Sequence, residues 1–321
     1  MKNKILITTP ITHIEGLREI LNNNFSLLMN ENSNLNELTS SKEVIAVFTN
    51  PNKLTYKLNA EFFNLYPNLE VICTASTGTN HIDKKESKKR NLKIISITEE
   101  RDTINKISST AEHAFALTLS ALRHIPDSFD SVKKGYWSYL PFIGRQISEL
   151  TFGVIGYGRL GKFYSQYCDA FGSKVIVYDP YKDVTHPRIE RVSSLEEIAR
   201  ESDVISIHAH VSKETTHLLS SEFFKNTKDD VLLINTSRGE IIDEEALLSQ
   251  LREKKLMKFA TDVLEGEFTS FDSKPLINFA NENPGQVIIT PHLAGMTKEA
   301  QSIAFKKAAS LLIEYLKKKN I

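Results

Sequence analysis

The sequence predicts an α/β fold built from two doubly wound parallel-sheet domains, and three observations predict it. Short apolar runs suited to buried strands alternate with apolar residues at helical spacing over most of the chain. A long apolar helix near Ser109 interrupts that alternation once, after which it resumes. At the resumption stands TFGVIGYGRLGKFYSQYCDAFGSKVIVYD, residues 151–179, which reads as a strand, a glycine turn, a helix and a second strand ending in an acid. A chain of 321 residues is long enough for about two such domains.

In the first part, residues 5–8, 44–49, 71–75 and 94–97 are apolar runs of strand length. Between them Ile14, Leu17, Ile20 and Leu21 recur at helical spacing, as do Leu58, Phe62, Phe63 and Leu65. This is a small β-α-β domain with no phosphate-binding fingerprint of its own. Ser76-Thr77-Gly78-Thr79-Asn80 follows a strand directly, where an open sheet presents ligand-binding loops; the plain alternative is a turn with Gly78 at positive φ.

Ser109 and Glu112 have the spacing of a capping box at the head of the connecting helix. Its Ala114, Phe115, Leu117, Leu119, Ala121 and Leu122 are too much apolar surface for a solvent-facing helix. The helix is therefore read as the passage between domains and as a candidate subunit contact. Gly135-Tyr136-Trp137 then heads an irregular arm running to about Glu149, and exposed aromatics there would suit an oligomer interface.

In the second part, Phe152, Val154 and Ile155 lead into Gly156, Gly158 and Gly161. The first glycine permits the tight turn, the second lets the backbone approach a pyrophosphate, and the third lets helix and strand pack closely. Asp179 lies eighteen positions after Gly161, where a ribose 2'-hydroxyl needs an acceptor. Further strands at 204–208, 231–235, 259–263 and 287–290 bring the total to six and complete a Rossmann dinucleotide-binding domain. One intervening helix is capped by Asp243. The last helix starts at Thr297 and is expected to cross back over the first domain. That makes a discontinuous smaller domain of residues 1–100 plus 293–321, and a dinucleotide-binding domain of residues 101–292.

Forty basic residues balance forty acidic ones, so no general attraction to nucleic acid or to an anionic membrane is expected. The run from Lys84 to Arg90 reads as a solvated helix face. Cys73 and Cys168 lack metal-ligand spacing and read as small buried hydrophobes; no metal is expected. Met1 runs almost directly into a strand and no apolar stretch reaches membrane-spanning length, which points to a cytoplasmic protein.

Three stretches lie just past predicted strand ends. Asn235 to Glu240 holds Arg238, whose planar fork suits a carboxylate, although a surface salt bridge is the commoner use of arginine. Thr261 to Glu267 holds three acids, otherwise a solvated loop. Thr290 to Gly295 holds His292 beside a proline, and a lone histidine is more often structural than catalytic. Taken together, an arginine for a carboxylate, a histidine to exchange a proton and an acid to keep that histidine charged are the parts needed to reduce a 2-oxo acid with a nicotinamide.

With those residues in hand, the chain resembles the D-isomer-specific 2-hydroxyacid dehydrogenase family over nearly its whole length. The matching stretches are Ser109 to His113, Gly156 to Gly161, Glu214 to Leu218, Asn235 to Leu247, Asp262 to Glu267, and Pro291-His292. The resemblance implies a flavodoxin-like substrate domain beside the Rossmann domain, NAD as cofactor and a small 2-hydroxy or 2-oxo acid as substrate. It also implies a homodimer with the site in the cleft between its domains. It assigns Arg238 to the substrate carboxylate and 2-oxo group, His292 to acid/base work and Glu267 to pairing with His292. The backbone of Thr77 and Gly78 would help grip the carboxylate. Asp262 would hold the nicotinamide carboxamide; Arg159, Leu160, His208, Thr215, Thr236, Ser237, His292 and Gly295 would contact the cofactor alongside the glycines and Asp179.

Some positions depart from the family pattern. Asn80-His81-Ile82-Asp83 stands where Asp-Asn-Ile-Asp is usual, and Glu267-Phe268-Thr269 where Glu-Pro is usual. Near the third strand end only Lys53 is cationic, where phosphoglycerate-specific relatives carry an arginine, which weakens a phosphorylated substrate. Two alternatives stand beside the main reading: a phosphonate (phosphite) dehydrogenase on the same scaffold, and a non-catalytic NAD-sensing protein resembling corepressors. Glu267 speaks against a formate dehydrogenase, in which glutamine partners the histidine.

Overall fold

The computed structural model describes residues 3–30, 35–53, 56–254, 257–267 and 274–319. The chain divides into two compact units, one of Met1–Ile107 with Gly295–Ile321 and one of Ser108–Ala294. The breaks fall a few residues later than residues 100 and 292. Ile104 is buried in the core of the first unit and Ile107 packs on it, while the amides of Leu293 and Ala294 are held by Asp262 in the second.

The first unit holds β1 (Lys4–Ile7), β2 (Ser26–Met29), β3 (Val44–Thr49), β4 (Val71–Thr74) and β5 (Lys93–Ile95). They form one parallel sheet in the order β2-β1-β3-β4-β5, the flavodoxin-like arrangement. Side chains alternate between two cores, as a parallel sheet covered on both faces requires. Ile5, Ile7, Ala46, Phe48, Val71 and Cys73 enter one; Leu6, Val47 and Ile72 enter the other, with Phe62, Phe63 and Tyr66. β2 was not anticipated, because Ser26-Leu27-Leu28-Met29 is a short edge strand only partly buried. Helix Leu17–Asn24 turns Leu17 and Leu21 inward. Ile20, expected on that face, is 37% exposed.

The helix Lys298–Lys318 closes the first core. Thr297 caps it by accepting from the Ala300 amide at 3.1 Å. Its Ala304, Ala308 and Ala309 leave room for close packing, and Phe305 meets Phe48 edge-on with ring centroids 6.0 Å apart. The basic run forms helix Lys84–Lys89, capped by Asp83, with its lysines exposed.

The second unit holds β6 (Thr151–Ile155), β7 (Lys174–Tyr178), β8 (Ile189–Arg191), β9 (Val204–Ile207), β10 (Leu232–Asn235), β11 (Lys258–Thr261) and β12 (Val287–Ile289). The parallel sheet runs β12-β11-β10-β9-β6-β7-β8. Strand order reverses between β6 and β9, which places the loops at their carboxyl ends around a switch point. This is a seventh strand beyond the six expected. β8 escapes the apolar-run criterion because Ile189-Glu190-Arg191 buries only Ile189.

Helix Ser109–Leu122 packs Ala111, Ala114, Leu117, Ala121 and Leu122 against Phe152, Val154 and Tyr164, which accounts for its apolar surface. The expected capping box does not form. Ser108, not Ser109, occupies the capping position, and its hydroxyl donates to the Glu112 carboxylate. As the first helical residue, Ser109 is buried with a hydroxyl that has no partner among the described residues. Helix Ile125–Lys133, not anticipated, precedes the arm. In the arm Trp137 is 91% exposed, and Tyr136, Tyr139, Leu140 and Ile143 are also largely exposed. Cys73 and Cys168 are buried free thiols. Among the described residues no helix is long and apolar enough to cross a membrane, and no cluster of His, Cys, Asp or Glu has the make-up of a metal site.

Candidate active site

The glycine turn after β6 is built as its spacing predicts. Gly156 has φ 95°, in the left-handed region, and a Cβ on it would stand 2.8 Å from the His208 backbone. A Cβ on Gly161 would meet the Gly156 carbonyl at 2.0 Å, so this glycine lets the helix Arg159–Ala170 press against the turn. Gly158, which heads that helix, would carry a Cβ into open space. An open backbone at a twelve-residue helix N-terminus fits a pyrophosphate. Asp179 follows β7 and accepts from the amides of Tyr157 at 2.7 Å and Tyr181 at 2.8 Å. These bonds tie the acid to the turn; each carboxylate oxygen keeps a second lone pair for a ribose hydroxyl.

Four of the other expected cofactor residues divide into two pairs. Thr236 Oγ1 and His208 Nδ1 are buried with no partner among the described residues, as expected of atoms awaiting a ligand. His208 Nε2 lies 2.9 Å from Ser206 Oγ, and burial pushes its pKa down to about 3, so the ring is neutral. Thr215, in contrast, uses its hydroxyl inside its own turn, accepting from the Ser212 amide and donating to the His210 carbonyl. Ser237 donates to the Ile207 carbonyl. Leu160 packs on the core beneath the helix, and Arg159 opens that helix.

β10, β11 and β12 are neighbours, so the three chemistry-bearing loops leave adjacent strand ends. Arg238 follows β10, partly buried, with Nη1 donating to the Ser237 carbonyl at 2.6 Å. Asn235 braces this loop by donating to the Arg238 carbonyl and accepting from the Ser237 amide. His292 Nδ1 lies 2.9 Å from Glu267 Oε1, with both side chains mostly enclosed. Phe268 and Thr269, the other residues of the departure after Glu267, lie outside the described residues.

His292 adopts φ 51°, a left-handed conformation a histidine takes only when its surroundings enforce it. Asp262 supplies that enforcement. Its Oδ1 accepts from the Thr290 hydroxyl at 2.6 Å and the Leu293 amide at 2.9 Å, and Oδ2 from the Ala294 amide at 2.8 Å. The carboxylate is 1% exposed. In this structure Asp262 grips the histidine loop. His113 Nε2, 3.0 Å from Thr290 Oγ1 and 3.6 Å from Asp262 Oδ1, joins the same cluster. In the sequence His113 only closes the matching stretch Ser109 to His113, because a histidine inside an apolar helix carries no spacing signal of its own.

Thr77 and Gly78 belong to the first unit, on the loop after β4. Ser76 donates its hydroxyl to the Gly78 carbonyl and Thr98 donates to the Thr77 carbonyl, which shapes the loop through its acceptors. Gly295 opens the returning segment, and a Cβ there would meet nothing.

Residues 115–294 match the model of the D-isomer specific 2-hydroxyacid dehydrogenase, NAD binding domain. The chain is 35% identical over 265 residues to D-3-phosphoglycerate dehydrogenase of Bacillus subtilis, covering 81% of this chain and 48% of that protein. It is 33% identical over 246 residues to hydroxypyruvate reductase of Thermotoga maritima, covering 76% of this chain and 77% of that one. It spans about half the length of the phosphoglycerate dehydrogenases it matches. The D-lactate dehydrogenase of Aquifex aeolicus, solved with NAD and lactic acid, superposes with a TM-score of 0.81 at 30% identity, over 98% of this chain and 96% of that one. With a family domain matched across more than half its length and a relative covered along most of its own, the chain belongs to the D-isomer specific 2-hydroxyacid dehydrogenase family.

Proposed function

We propose that this chain is an NAD-dependent oxidoreductase interconverting a D-2-hydroxy acid and its 2-oxo acid. The observation that carries the reading is the His292–Glu267 pair at 2.9 Å, joining the loops after β12 and β11 next to the β10 end that presents Arg238. NAD, when bound on the glycine turn, supplies or accepts the hydride. The residues of the chain do the rest. Arg238 offers its guanidinium fork to the substrate carboxylate and 2-oxo group, which orients the carbonyl carbon. With Nδ1 directed to Glu267, His292 exchanges the proton with the substrate oxygen through Nε2, and the Glu267 carboxylate stabilises the ring while it is protonated. Asp179 favours NAD over NADP, since a 2'-phosphate would meet its negative charge. The first unit, with Thr77 and Gly78, is the substrate domain in this reading; the second binds the cofactor. The exposed aromatics of the arm fit a homodimer.

A screen of glyoxylate, hydroxypyruvate, 3-phosphohydroxypyruvate and branched 2-oxo acids, with NADH and NADPH, followed at the nicotinamide absorbance, tests the reading. Turnover with NADH is expected, and its loss by at least a thousandfold in His292→Gln with NADH binding retained. Near-normal turnover in that variant removes His292 from the mechanism. NADH binding with no turnover of any acid favours the sensor alternative.

A further inference from the structure

Glu267 lies on a surface turn; two side chains from outside that turn hold its backbone, and a third holds the Glu265 carboxylate. Glu244 Oε1 accepts from the Glu265 amide at 2.7 Å. Lys274 Nζ donates to the Glu265 carbonyl and, at 2.9 Å, to the Gly266 carbonyl. His217, itself at φ 51°, places Nε2 3.0 Å from Glu265 Oε1. Beneath them Gly239 leaves no space, since a Cβ there would stand 2.0 Å from the Glu265 nitrogen.

We propose that Glu244 and Lys274 are positioning residues for the acid/base pair, fixing the turn that carries Glu267 so that its carboxylate stays on His292 Nδ1; this rests on the reading of that pair given above. Glu244 is not needed where it stands. Asp243 already caps the helix Glu244–Glu253, accepting from the Ala246 amide at 3.0 Å. The Glu244 carboxylate turns to the Glu265 amide instead. Burial raises its pKa, opposed by that amide and by Lys274, so the group is kept half-buried against a cost. Hydrogen bonds with a charged partner are about twice as strong as neutral ones, and here they grip Glu265 and Gly266, immediately before Glu267. Gly266 has φ 61°, so the chain reverses just where it is gripped. A displacement of about 1 Å at a catalytic group is enough to lower turnover on the order of a hundredfold.

The test uses the full chain labelled with 15N-histidine, with the His292 ring signals assigned by their loss in His292→Gln. Glu267→Gln sets the reference shift of those signals. Glu244→Ala and Lys274→Met are expected to move them the same way and to lower kcat about tenfold or more on the best acid of the screen, with KM for NADH unchanged. Glu244→Gln, which keeps an acceptor for the Glu265 amide, is expected to stay near wild type. Lys274→Met acts from the other side of the turn and decides the matter if Glu244→Ala does not fold. Ring signals and kcat unmoved in both Glu244→Ala and Lys274→Met, while Glu267→Gln moves them, overturn the positioning role alone. So does a Glu244→Gln variant as impaired as Glu244→Ala. If Glu267→Gln itself leaves the ring signals and kcat unmoved, the reading of the pair fails and this inference falls with it.

Discussion

Gly158 and Gly161 are three residues apart and carry opposite consequences. A methyl group on Gly161 has to displace the Gly156 carbonyl, whereas one on Gly158 meets nothing of the protein. Gly161→Ala is therefore expected to lose about 1–3 kcal/mol of stability in urea unfolding, the usual cost of overpacking. Gly158→Ala is expected to lose less than about 1 kcal/mol, because alanine is only a poorer helix cap. Its NADH dissociation constant, read from nicotinamide fluorescence, should nonetheless rise at least tenfold. If Gly158→Ala binds NADH as the wild type does, the open face is not where the pyrophosphate lies. At this scale the sequence was informative where spacing encodes geometry, as in the three glycines. It was silent about the left-handed backbone of His292 and the Asp262 carboxylate that enforces it. Those depend on bonds between β11 and β12 loops thirty residues apart, and no local pattern records them.

Elements were legible in proportion to their burial. β3, β9 and β10 are buried on both faces and read as continuous apolar runs. The edge strands β2 and β8 did not, since β2 is nowhere fully buried, β8 buries only Ile189, and propensity alone does not mark three or four residues. The cap of helix Ser109–Leu122 slipped by one residue for a related reason: two serines stand side by side, and the pattern cannot choose between them. The helix Lys298–Lys318 was legible from its small apolar stripe, and its largest buried side chain is Phe305, 2% exposed against Phe48. Phe305→Ala should cost about 3–5 kcal/mol. Urea unfolding followed by far-ultraviolet circular dichroism reads this; a loss under about 1 kcal/mol would mean that the helix is not integral to the first core.

At the scale of the molecule, each unit has its own sheet with a core on either face. The second also displays a band of large apolar side chains, Phe129, Tyr136, Trp137, Tyr139, Leu140 and Ile143, all more than half exposed. Exposed apolar side chains concentrated on one segment are what the proposed subunit contact would cover. Trp137→Glu with Tyr139→Glu is expected to convert a dimer to a monomer in sedimentation velocity while leaving the circular dichroism unchanged. A wild-type protein that sediments as a monomer at micromolar concentration removes the subunit-contact reading of the arm. The doubled α/β plan was legible here because two alternating series flank one interrupting helix.

The two thiols carry a consequence of their own. Cys73 lies in the core of the first unit and Cys168 in that of the second. Burial raises the pKa of both, which suppresses the thiolate that alkylating reagents attack. Neither is modified until the core around it opens. The molecule thus contains one chemical clock per unit. Iodoacetamide labelling, resolved peptide by peptide in a single sample, times the opening of each without any cysteine being introduced.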